Sequence, residues 1–479
     1  MEQRYTATFE SLYRHTIPDW FRDAKLGFWS HWGLQSVPMA GDWYARNMYL
    51  EGSRQYLLHL RRFGHPSKFG YKDLIPLWKA EKFDPMALME RYVDAGARYF
   101  MGQAVHHDHF FNFDSRLQPR FNSVRMGPHK DICTMWQKAA EHFGLPFGLS
   151  EHLAATYTWY GPNKGCDSRG PWAGIPYDGR DPAYEELYTD DYEHYYPEDP
   201  ARIDPWMTTN RRWQQRWNDL LHELVDTFHP DILYSDNPLA FVTPEAPYSL
   251  DGIAYLYNDS IARNGENRSV YFIKSQREAD YAVGVRDVER SQLPEILPVP
   301  WQTDTCVGGW FYDAEQVYKT PEQVVEMLVD IVSKNGCLML NIPQLPDGTI
   351  DGECSYLLEQ LGGYTRTCGE GIYGTRPYRV YGEGPSSVII EGFREDRVDW
   401  KGTDLRFTQK DRTLYVHVMK APANRVVTVH SLDADERVKS ARLLGHGAVP
   451  FVQYADRVCV TLPEKLPTRY VNCVALERE

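Results

Sequence analysis

The chain has 479 residues, 42% of them hydrophobic and 25% charged, which is typical of a globular protein rather than a disordered one. The net charge of −14 argues against nucleic acids and acidic membranes as partners, because neither gains from an acidic protein surface. No apolar run approaches the roughly 18 residues of a membrane span. The eight cysteines form no C-x-x-C pair, and the amino terminus has no signal pattern. We therefore expect a cytoplasmic protein, or a secreted or periplasmic one if a signal peptide has been removed.

Short apolar segments alternate with amphipathic helices as far as residue 370. The segments that indicate strands are 25–30, 97–105, 146–150, 231–235, 269–274 and 337–342. Between them, the spacing predicts a helix that begins at Asp84, one that ends at Gly144 and one over 210–228. A capping box at Thr320 predicts the start of another. This alternation over about 350 residues predicts an α/β fold, a (β/α)8-like barrel with a parallel sheet.

The carboxyl-terminal part has a different pattern, because short alternating stretches separated by turn residues replace the helices after Gly371. This pattern predicts a C-terminal antiparallel β-sandwich domain over 371–479, following a barrel domain over 1–370. Residues 155–209 carry no clear period. They form either a surface loop or an insertion that shapes a substrate cleft on the barrel's functional face.

Histidines follow two of the predicted strands, where a barrel places its active site. His31 ends the first strand, and Asp42 and Trp43 lie soon after it, which suits hydrogen bonding to sugar hydroxyls and stacking on a sugar ring. His106 and His107 follow the second strand. A metal site built on His107-x-His109 is one interpretation of this run, because alternate strand residues share a face. Since no further ligands with matching spacing are evident, hydrogen bonding to hydroxyls is the other.

Carboxylates also follow predicted strands. Asp236 comes directly after the strand 231–235, where it either points into the mouth of the barrel or caps a turn. Glycoside hydrolysis needs two carboxyl groups, a general acid and a nucleophile or base. The other candidates for these two carboxyl groups lie elsewhere in the chain. They are Asp287, Glu289, Glu295 and Glu151.

Eight motifs occur in one order along nearly the whole chain. They are KLGFWSHWGLQSVP, DWYARNMY, WKAEKFDP, AGARYFMGQAVHHDHFFNFDS, PDILYSD, PVPWQTDTCVGGWFYD, LVDIVSKNGCLMLNIP and IYGTRPYRVYGEGP. In these motifs the chain resembles glycoside hydrolase family 29, the retaining α-L-fucosidases. The resemblance implies an exo-glycosidase that releases terminal α-L-fucose from fucosylated glycans or glycosides by double displacement, without a metal or cofactor.

The resemblance also implies roles for individual residues. Asp236 matches the nucleophile, and Glu289 is the acid/base that we expect, with Glu295 and Glu151 as alternatives. Trp310 falls where the family places an aromatic residue near the sugar's methyl group. The other residues expected to line the sugar pocket are His31, Asp42, Trp43, His106, His107, Glu151, Lys274 and Arg277.

The chain departs from the family pattern around the sugar. Asp42 replaces a glutamate, GLSEH replaces GLYYS, which puts Glu151 or His152 where the family has a tyrosine, and either Lys274 or Arg277 takes the place of an arginine. These changes leave three alternatives open: a related glycone such as an α-L-galactoside, a catalytically degenerate fucose-binding protein, and the metal-dependent hydrolase of the histidine run. The oligomeric state, monomer or homo-oligomer, also stays open.

Overall fold

The computed structural model describes residues 4–275, 277–388, 393, 395–433 and 435–479. In this part of the chain eight parallel strands close into a barrel in sequence order, because β8 pairs with β1. The strands are β1 (Leu26–Ser30), β2 (Tyr99–Val105), β3 (Phe147–Glu151), β4 (Ile232–Ser235), β5 (Val270–Ile273), β6 (Val285–Glu289), β7 (Trp301–Cys306) and β8 (Gly336–Asn341). The prediction of a (β/α)8-like barrel is therefore confirmed.

Twelve α-helices are present among the described residues, most of them packed outside the barrel. They are α1 (Phe9–Leu12), α2 (Asp19–Ala24), α3 (Tyr44–Asn47), α4 (Arg54–Arg62), α5 (Pro85–Ala95), α6 (Ile132–His142), α7 (Leu153–Trp159), α8 (Glu185–Tyr188), α9 (Arg211–Phe228), α10 (Tyr248–Asn264), α11 (Pro321–Ser333) and α12 (Gly352–Cys368).

Capping residues set the ends of the predicted helices. The Asp84 side chain accepts from the backbone of Ala87 at the start of α5, and Gly96 ends that helix in the left-handed conformation that glycine tolerates. The capping box at the start of α11 is confirmed, because the side chains of Thr320 and Gln323 each bond the other's backbone N–H.

Two barrel strands, β6 and β7, give no apolar signal in the sequence. Their sequences are VRDVE and WQTDTC, in which polar residues occupy the positions that a buried strand usually fills with valine or leucine. The parallel pairing places Glu289 opposite Asp304 and Asp287 opposite Gln302. The two strands that the hydrophobic pattern does not predict are therefore the ones whose inward side chains carry carboxyl and amide groups.

The C-terminal domain is built from antiparallel strands in two sheets, so the prediction of an antiparallel β domain is confirmed. The strands are β9 (Arg376–Glu383), β10 (Leu405–Lys410), β11 (Thr413–Val418), β12 (Val426–Val429), β13 (Val438–Leu443), β14 (Gly447–Ala448), β15 (Phe451–Gln453), β16 (Val458–Thr461) and β17 (Asn472–Arg478). One sheet has the order β14-β13-β17-β11-β10-β9 and the other β12-β16-β15. The boundary expected after residue 370 lies between the end of α12 and the start of β9.

The segment 155–209 is an insertion after β3 that contains α7 in part, α8 and several single turns of 3-10 helix. Arg46, buried under it, donates to the backbone carbonyls of Trp159, Ala201 and Arg202 and so fixes both ends of the insertion to α3. These three carbonyl groups thereby have a hydrogen-bond partner away from water. Among the described helices, none is long and apolar enough to cross a membrane.

Candidate active site

Polar side chains collect at the carboxyl end of the barrel, where parallel strands of this architecture carry their active sites. His31 follows β1, His106 follows β2, and His152 follows β3. Asp236 follows β4 and Lys274 follows β5, while Glu289 is the last residue of β6. Because all of these strands run in one direction, residues far apart in the sequence share one cavity.

The centre of this cavity is the ammonium group of Lys274. Its Nζ atom lies 2.8 Å from Oδ1 of Asp236, 2.7 Å from Oε2 of Glu289 and 3.5 Å from Oδ2 of Asp304. Three carboxyl groups therefore surround one ammonium group. Burial alone would lower the pKa of Lys274, but Asp236, Asp304 and Glu289 outweigh it and hold that pKa well above its usual value.

Asp236 is held as an anion by its neighbours. Burial alone would raise the pKa of its carboxyl group, but Lys274 holds that pKa well below its usual range. The second oxygen, Oδ2, lies 3.5 Å from Nε2 of His107. An ionised carboxylate of this kind can act as a nucleophile at neutral pH.

Glu289 contacts the same lysine as Asp236, yet its pKa is shifted in the opposite direction. Burial raises its pKa, and the charges of Asp236 and Asp304 raise it further, against the opposing effect of Lys274. Its side chain is 24% exposed, so its carboxyl group remains accessible from the cavity. Two neighbouring carboxyl groups whose pKa values are pushed apart are the arrangement that assigns one as acid and the other as anion.

The orientation of His106 is fixed by an amide. The backbone N–H of Ala45 donates to Oε1 of Gln35 at 3.2 Å, so the other amide atom, Nε2, donates to Nδ1 of His106 at 2.7 Å. Burial lowers the pKa of His106 well below its usual value, and the neutral ring therefore carries its hydrogen on Nε2. His106 presents a hydrogen-bond donor to the pocket.

His107 and His152 have the opposite tautomer. Nδ1 of His107 donates to the carbonyl of His152 at 2.7 Å, and Nδ1 of His152 donates to the carbonyl of Val105 at 3.3 Å. In a neutral ring, the Nε2 atom then carries a lone pair. Burial lowers the pKa of His152 to about 3. The two rings therefore complement the donor on His106, and together they suit the hydroxyl groups of a sugar.

His31, His106 and His152 are the one group in the described residues whose ring nitrogens lie close enough together, within 4.8 Å, to suggest a metal site. The hydrogen that Gln35 keeps on Nε2 of His106 opposes metal binding there, because a ligating nitrogen must be unprotonated. His109 lies elsewhere, since its Nε2 atom accepts from the guanidinium group of Arg216 at 3.1 Å. The donor set is better suited to hydroxyl groups than to a cation.

Aromatic rings form the walls of the pocket. Trp43 lies edge-on to His107 at a centroid distance of 6.3 Å and parallel to Trp206 at 6.2 Å. On another side, Trp310 packs against Trp29 and His31, both at 5.4 Å. Large apolar faces beside hydrogen-bonding groups are typical of a pocket that binds an amphipathic small molecule.

Asp42 lies between the histidines and the aromatic wall. Its Oδ1 atom accepts from the backbone N–H of Trp43 at 2.8 Å and lies 3.8 Å from Nε2 of His106. Burial raises the pKa of Asp42 to about 7. Its carboxyl group is therefore a second acceptor within reach of the His106 donor.

Three of the expected residues lie apart from this group. Both oxygens of Glu151 already accept from protein donors, the backbone N–H of Leu153 at 2.8 Å and the Trp217 indole at 2.9 Å. Arg277 points to solvent, with its side chain 70% exposed and 3.5 Å from Asp280, and Glu295 is also exposed. Of Lys274 and Arg277, only Lys274 contacts the carboxyl groups in the described part of the chain, while the roles expected of Glu151 and Arg277 stay predictions.

Sequence reasoning missed three residues that lie beside or beneath the cavity. Asp304 and Tyr234 lie inside the barrel, and Trp206 comes from the insertion. Tyr234 occupies the fifth position of the motif PDILYSD, two residues before Asp236, where strand alternation places both side chains on one face. Trp206 has no such signal, because its place depends on the path of a loop without periodicity.

The fold and the site together define a barrel enzyme with the two carboxyl groups that glycoside hydrolysis needs. The profile of the family described as Alpha-L-fucosidase matches residues 1–370, and the chain accordingly belongs to this family of glycosidases.

Relatives of known activity cover most of the chain. It is similar to the tissue alpha-L-fucosidase of Rattus norvegicus, with 26% identity over 97% of this chain and 89% of that protein. It is also similar to an alpha-L-fucosidase of Branchiostoma floridae, with 26% identity over 83% of each chain.

The fold is similar to that of solved structures. The alpha-fucosidase of Thermotoga maritima in complex with fucose superposes with a TM-score of 0.73 at 24% identity, covering 99% of this chain and 100% of that one. Alpha-L-fucosidase isoenzyme 1 from Paenibacillus thiaminolyticus superposes with a TM-score of 0.68 at 22% identity, over 99% and 100% of the two chains.

Proposed function

We propose that this protein is a retaining exo-glycosidase that releases terminal α-L-fucose from fucosylated glycans or glycosides. The observation that carries the proposal is the pairing of Asp236 and Glu289. Because one oxygen of each contacts the same Nζ atom of Lys274, at 2.8 and 2.7 Å, the two oxygens are within about 5.5 Å of each other. A separation of about 5–5.5 Å is typical of retaining glycosidases, whereas inverting enzymes need a wider gap for a water molecule.

In the first step, Glu289 donates its proton to the glycosidic oxygen while an oxygen of Asp236 attacks the anomeric carbon. The bond between that carbon and the glycosidic oxygen breaks, and the aglycone leaves as a neutral alcohol. The product is a glycosyl ester of Asp236. The low pKa of Asp236 keeps the nucleophile ionised, and the raised pKa of Glu289 favours the protonated form that this step needs.

In the second step, a water molecule takes the place of the aglycone. Glu289, now ionised, removes a proton from the water as its oxygen attacks the anomeric carbon. The ester bond to Asp236 breaks, and the carboxylate is restored together with the protonated Glu289. Two inversions at one carbon return the sugar with its original α configuration.

The pocket supplies contacts for a deoxy sugar. The Nε2 hydrogen of His106 donates to one hydroxyl group, and the lone pair of the neutral His152 ring accepts from another. Trp310, supported from behind by the buried Trp29, offers an apolar surface on which a methyl group packs without loss of hydrogen bonds. We therefore propose L-fucose, whose C5 substituent is methyl, over L-galactose, whose C5 substituent carries a hydroxyl group.

The leaving group has its own cleft beside the catalytic pair. This cleft has a volume of about 650 Å³ and is lined by Lys274 and Glu289 at one end and by Pro238, Tyr281 and Leu293 further out. Since Glu289 is the proposed proton donor to the leaving oxygen, an aglycone larger than an aryl group has room on this side.

The test is hydrolysis of an aryl α-L-fucoside and of the matching α-L-galactoside, with the released sugar followed by NMR before mutarotation. We expect turnover of the fucoside with the α anomer formed first, and at least about tenfold weaker turnover of the galactoside, because its hydroxyl would be buried against indole rings. First release of the β anomer would contradict the retaining mechanism. Binding of fucose without turnover of either glycoside would instead identify a degenerate, sugar-binding member of the family.

A further inference from the structure

Asp304 is a buried carboxylate that the proposed double displacement does not use. It lies on β7, opposite Glu289 in the parallel register, and it is fully buried. Its Oδ2 atom accepts from the Tyr234 hydroxyl at 2.9 Å and lies 3.5 Å from Nζ of Lys274. Its side chain also forms a hydrogen bond with the carboxyl group of Asp287 on β6. Because no surface of Asp304 reaches the cavity, a substrate has no access to it.

The charge of Lys274 opposes protonation of Glu289, and the charge of Asp304 offsets it. An ammonium group 2.7 Å from Glu289 favours the ionised carboxylate, whereas the proposed first step needs Glu289 to carry a proton. A second negative charge on the far side of the ammonium group offsets this effect. Asp304 occupies that position, bound to the same nitrogen atom as Glu289 and Asp236.

Tyr234 fixes the geometry of this arrangement. Its hydroxyl donates to Oδ2 of Asp304 and lies 3.4 Å from Oδ1 of Asp236, and its ring lies 5.1 Å from the Lys274 ammonium. The ring is buried beneath the cavity. Tyr234 thus holds Asp304 beside Lys274 as an ion-pair partner, while Asp236 and Glu289 accept hydrogen bonds from the ammonium group.

The remaining charged groups around this site come from every neighbouring strand. Asp287 on β6 lies below Glu289, and burial together with Asp304 raises its pKa well above the usual value. A protonated Asp287 adds no charge, so Lys274 is opposed by Asp236, Glu289 and Asp304. Further titratable groups near the cluster are Tyr99 on β2, Asp42 in the pocket and Arg290 after β6, together with His31, His107 and His152 beside Asp236.

We propose that Asp304 is a positioning residue that anchors Lys274 from inside the barrel and offsets its charge, so that Glu289 can carry the proton of the first step. This inference rests on the proposed function for the role of Glu289 but concerns a residue that touches neither substrate nor reacting atoms. It predicts a specific change when the charge of Asp304 is removed. Glu289 becomes a stronger acid, because Lys274 then acts on it without a counter-charge.

The test variant is Asp304→Asn, which removes the charge but keeps the shape of the side chain and an acceptor for the Tyr234 hydroxyl. The measurement is the pH dependence of kcat/KM for an aryl α-L-fucoside. We expect the basic limb, which reports Glu289 in the free enzyme, to move to lower pH by about one unit. Asp304→Ser, smaller and also neutral, is predicted to move the limb in the same direction and serves if the asparagine variant does not fold.

The control is Asp330→Asn on helix α11. Asp330 is also fully buried and bound by two cationic side chains, those of Lys334 and Arg406, but it faces the C-terminal domain. A merely structural effect of removing a buried carboxylate lowers the stability of both variants and leaves both pH profiles in place. A basic limb of Asp304→Asn that coincides with the wild-type limb, or lies above it, would overturn the proposal.

A second measurement separates this inference from the proposed function. The carbon-13 signal of the Glu289 carboxyl group, identified by its loss in Glu289→Gln, can be titrated without substrate. We expect its midpoint to fall by about one pH unit in Asp304→Asn. If the wild type hydrolyses no fucoside, the proposed function fails while this titration still decides the inference. An unchanged midpoint would contradict it.

Discussion

Two buried charge clusters in this protein combine acidic and basic side chains in opposite proportions. At the mouth of the barrel, one ammonium group, that of Lys274, is shared by the carboxyl groups of Asp236, Glu289 and Asp304. Between the barrel and the C-terminal domain, one carboxylate, that of Asp330, is shared by two cations. Its oxygens lie 2.6 Å from Nζ of Lys334 and 2.5 Å from Nε of Arg406.

The difference lies in how fully each carboxylate is neutralised. Burial alone would raise the pKa of Asp330, but Lys334 and Arg406 hold it below its usual value, so this group stays ionised. At the barrel mouth there are too few cations for all three carboxyl groups, and Glu289 has a raised pKa. A cluster that satisfies every charge stabilises an interface, whereas one with an excess of carboxyl groups can hold a transferable proton.

The largest expected effect is the loss of turnover when Asp236, the anion of the barrel cluster, is replaced. Replacing Asp236 with glycine removes the proposed nucleophile, and we expect kcat for an aryl α-L-fucoside to fall by at least about 10⁴-fold. Circular dichroism and thermal unfolding of the variant should resemble those of the wild type, because no core contact depends on this side chain. Turnover within tenfold of the wild type would contradict the assignment of Asp236.

The interface cluster should respond in stability rather than in turnover. Asp330→Ala leaves the cations of Lys334 and Arg406 buried without a counter-charge, which costs about 3–5 kcal/mol of the free energy of unfolding. Denaturant unfolding measures this loss. The matched control is Asp399→Ala, which breaks an exposed pair with Lys401 and should leave stability unchanged. Equal stability of the two variants would show that Asp330 is not the stabilising group proposed.

The cation of the barrel cluster is expected to set the position of the pH profile. Without Lys274, the ionised forms of Asp236 and Glu289 lose their counter-charge, so the pKa values of both rise. In Lys274→Met, both limbs of the kcat/KM profile should therefore move to higher pH, by about 1–3 units. Lys274→Arg retains the charge and should keep the limbs near their wild-type positions. A shift to lower pH in Lys274→Met would contradict the electrostatic account.

The smallest effect is expected at the pocket wall. Trp206→Ala removes the ring that lies parallel to Trp43 and 5.5 Å from His107. Loss of one aromatic contact should raise KM for an aryl fucoside by about 2–10-fold, with kcat changed less. Trp172→Ala is the matched control, since Trp172 lies in the same insertion but stacks on His65. Equal KM values for both variants and the wild type would remove Trp206 from the pocket.

The sequence predicted those parts of the fold that depend on local patterns. Helices α5, α6, α9 and α11 have clear caps and apolar spacing, and six barrel strands have apolar runs. The strands β6 and β7 were not predicted, because their inward positions hold Asp287, Glu289 and Asp304. Residues of the site occupy positions that are apolar in the other strands, so these two segments lack the hydrophobic pattern of a buried strand.

The candidate site was predictable where a motif or a strand end marked it. His31, His106 and Asp236 follow predicted strands, Lys274 is the last residue of another, and the structure brings the four together. Asp304 and Trp206 could not be found in this way, because their proximity to the others depends on barrel closure and on the path of a loop. Glu151 was expected in the pocket, yet it binds Leu153 and Trp217, since tertiary contacts decide which side of a strand end a residue faces.

The central claim is that Asp236 forms a covalent bond to the sugar, and trapping of that intermediate tests it most directly. A 2-deoxy-2-fluoro fucosyl fluoride reacts because fluoride leaves readily, while the ring fluorine slows release of the sugar. Mass spectrometry of the digested protein should find one fluorosugar on the peptide that contains Asp236. A label on Glu289 or Asp42, or an unlabelled protein that still hydrolyses fucosides, would contradict the account.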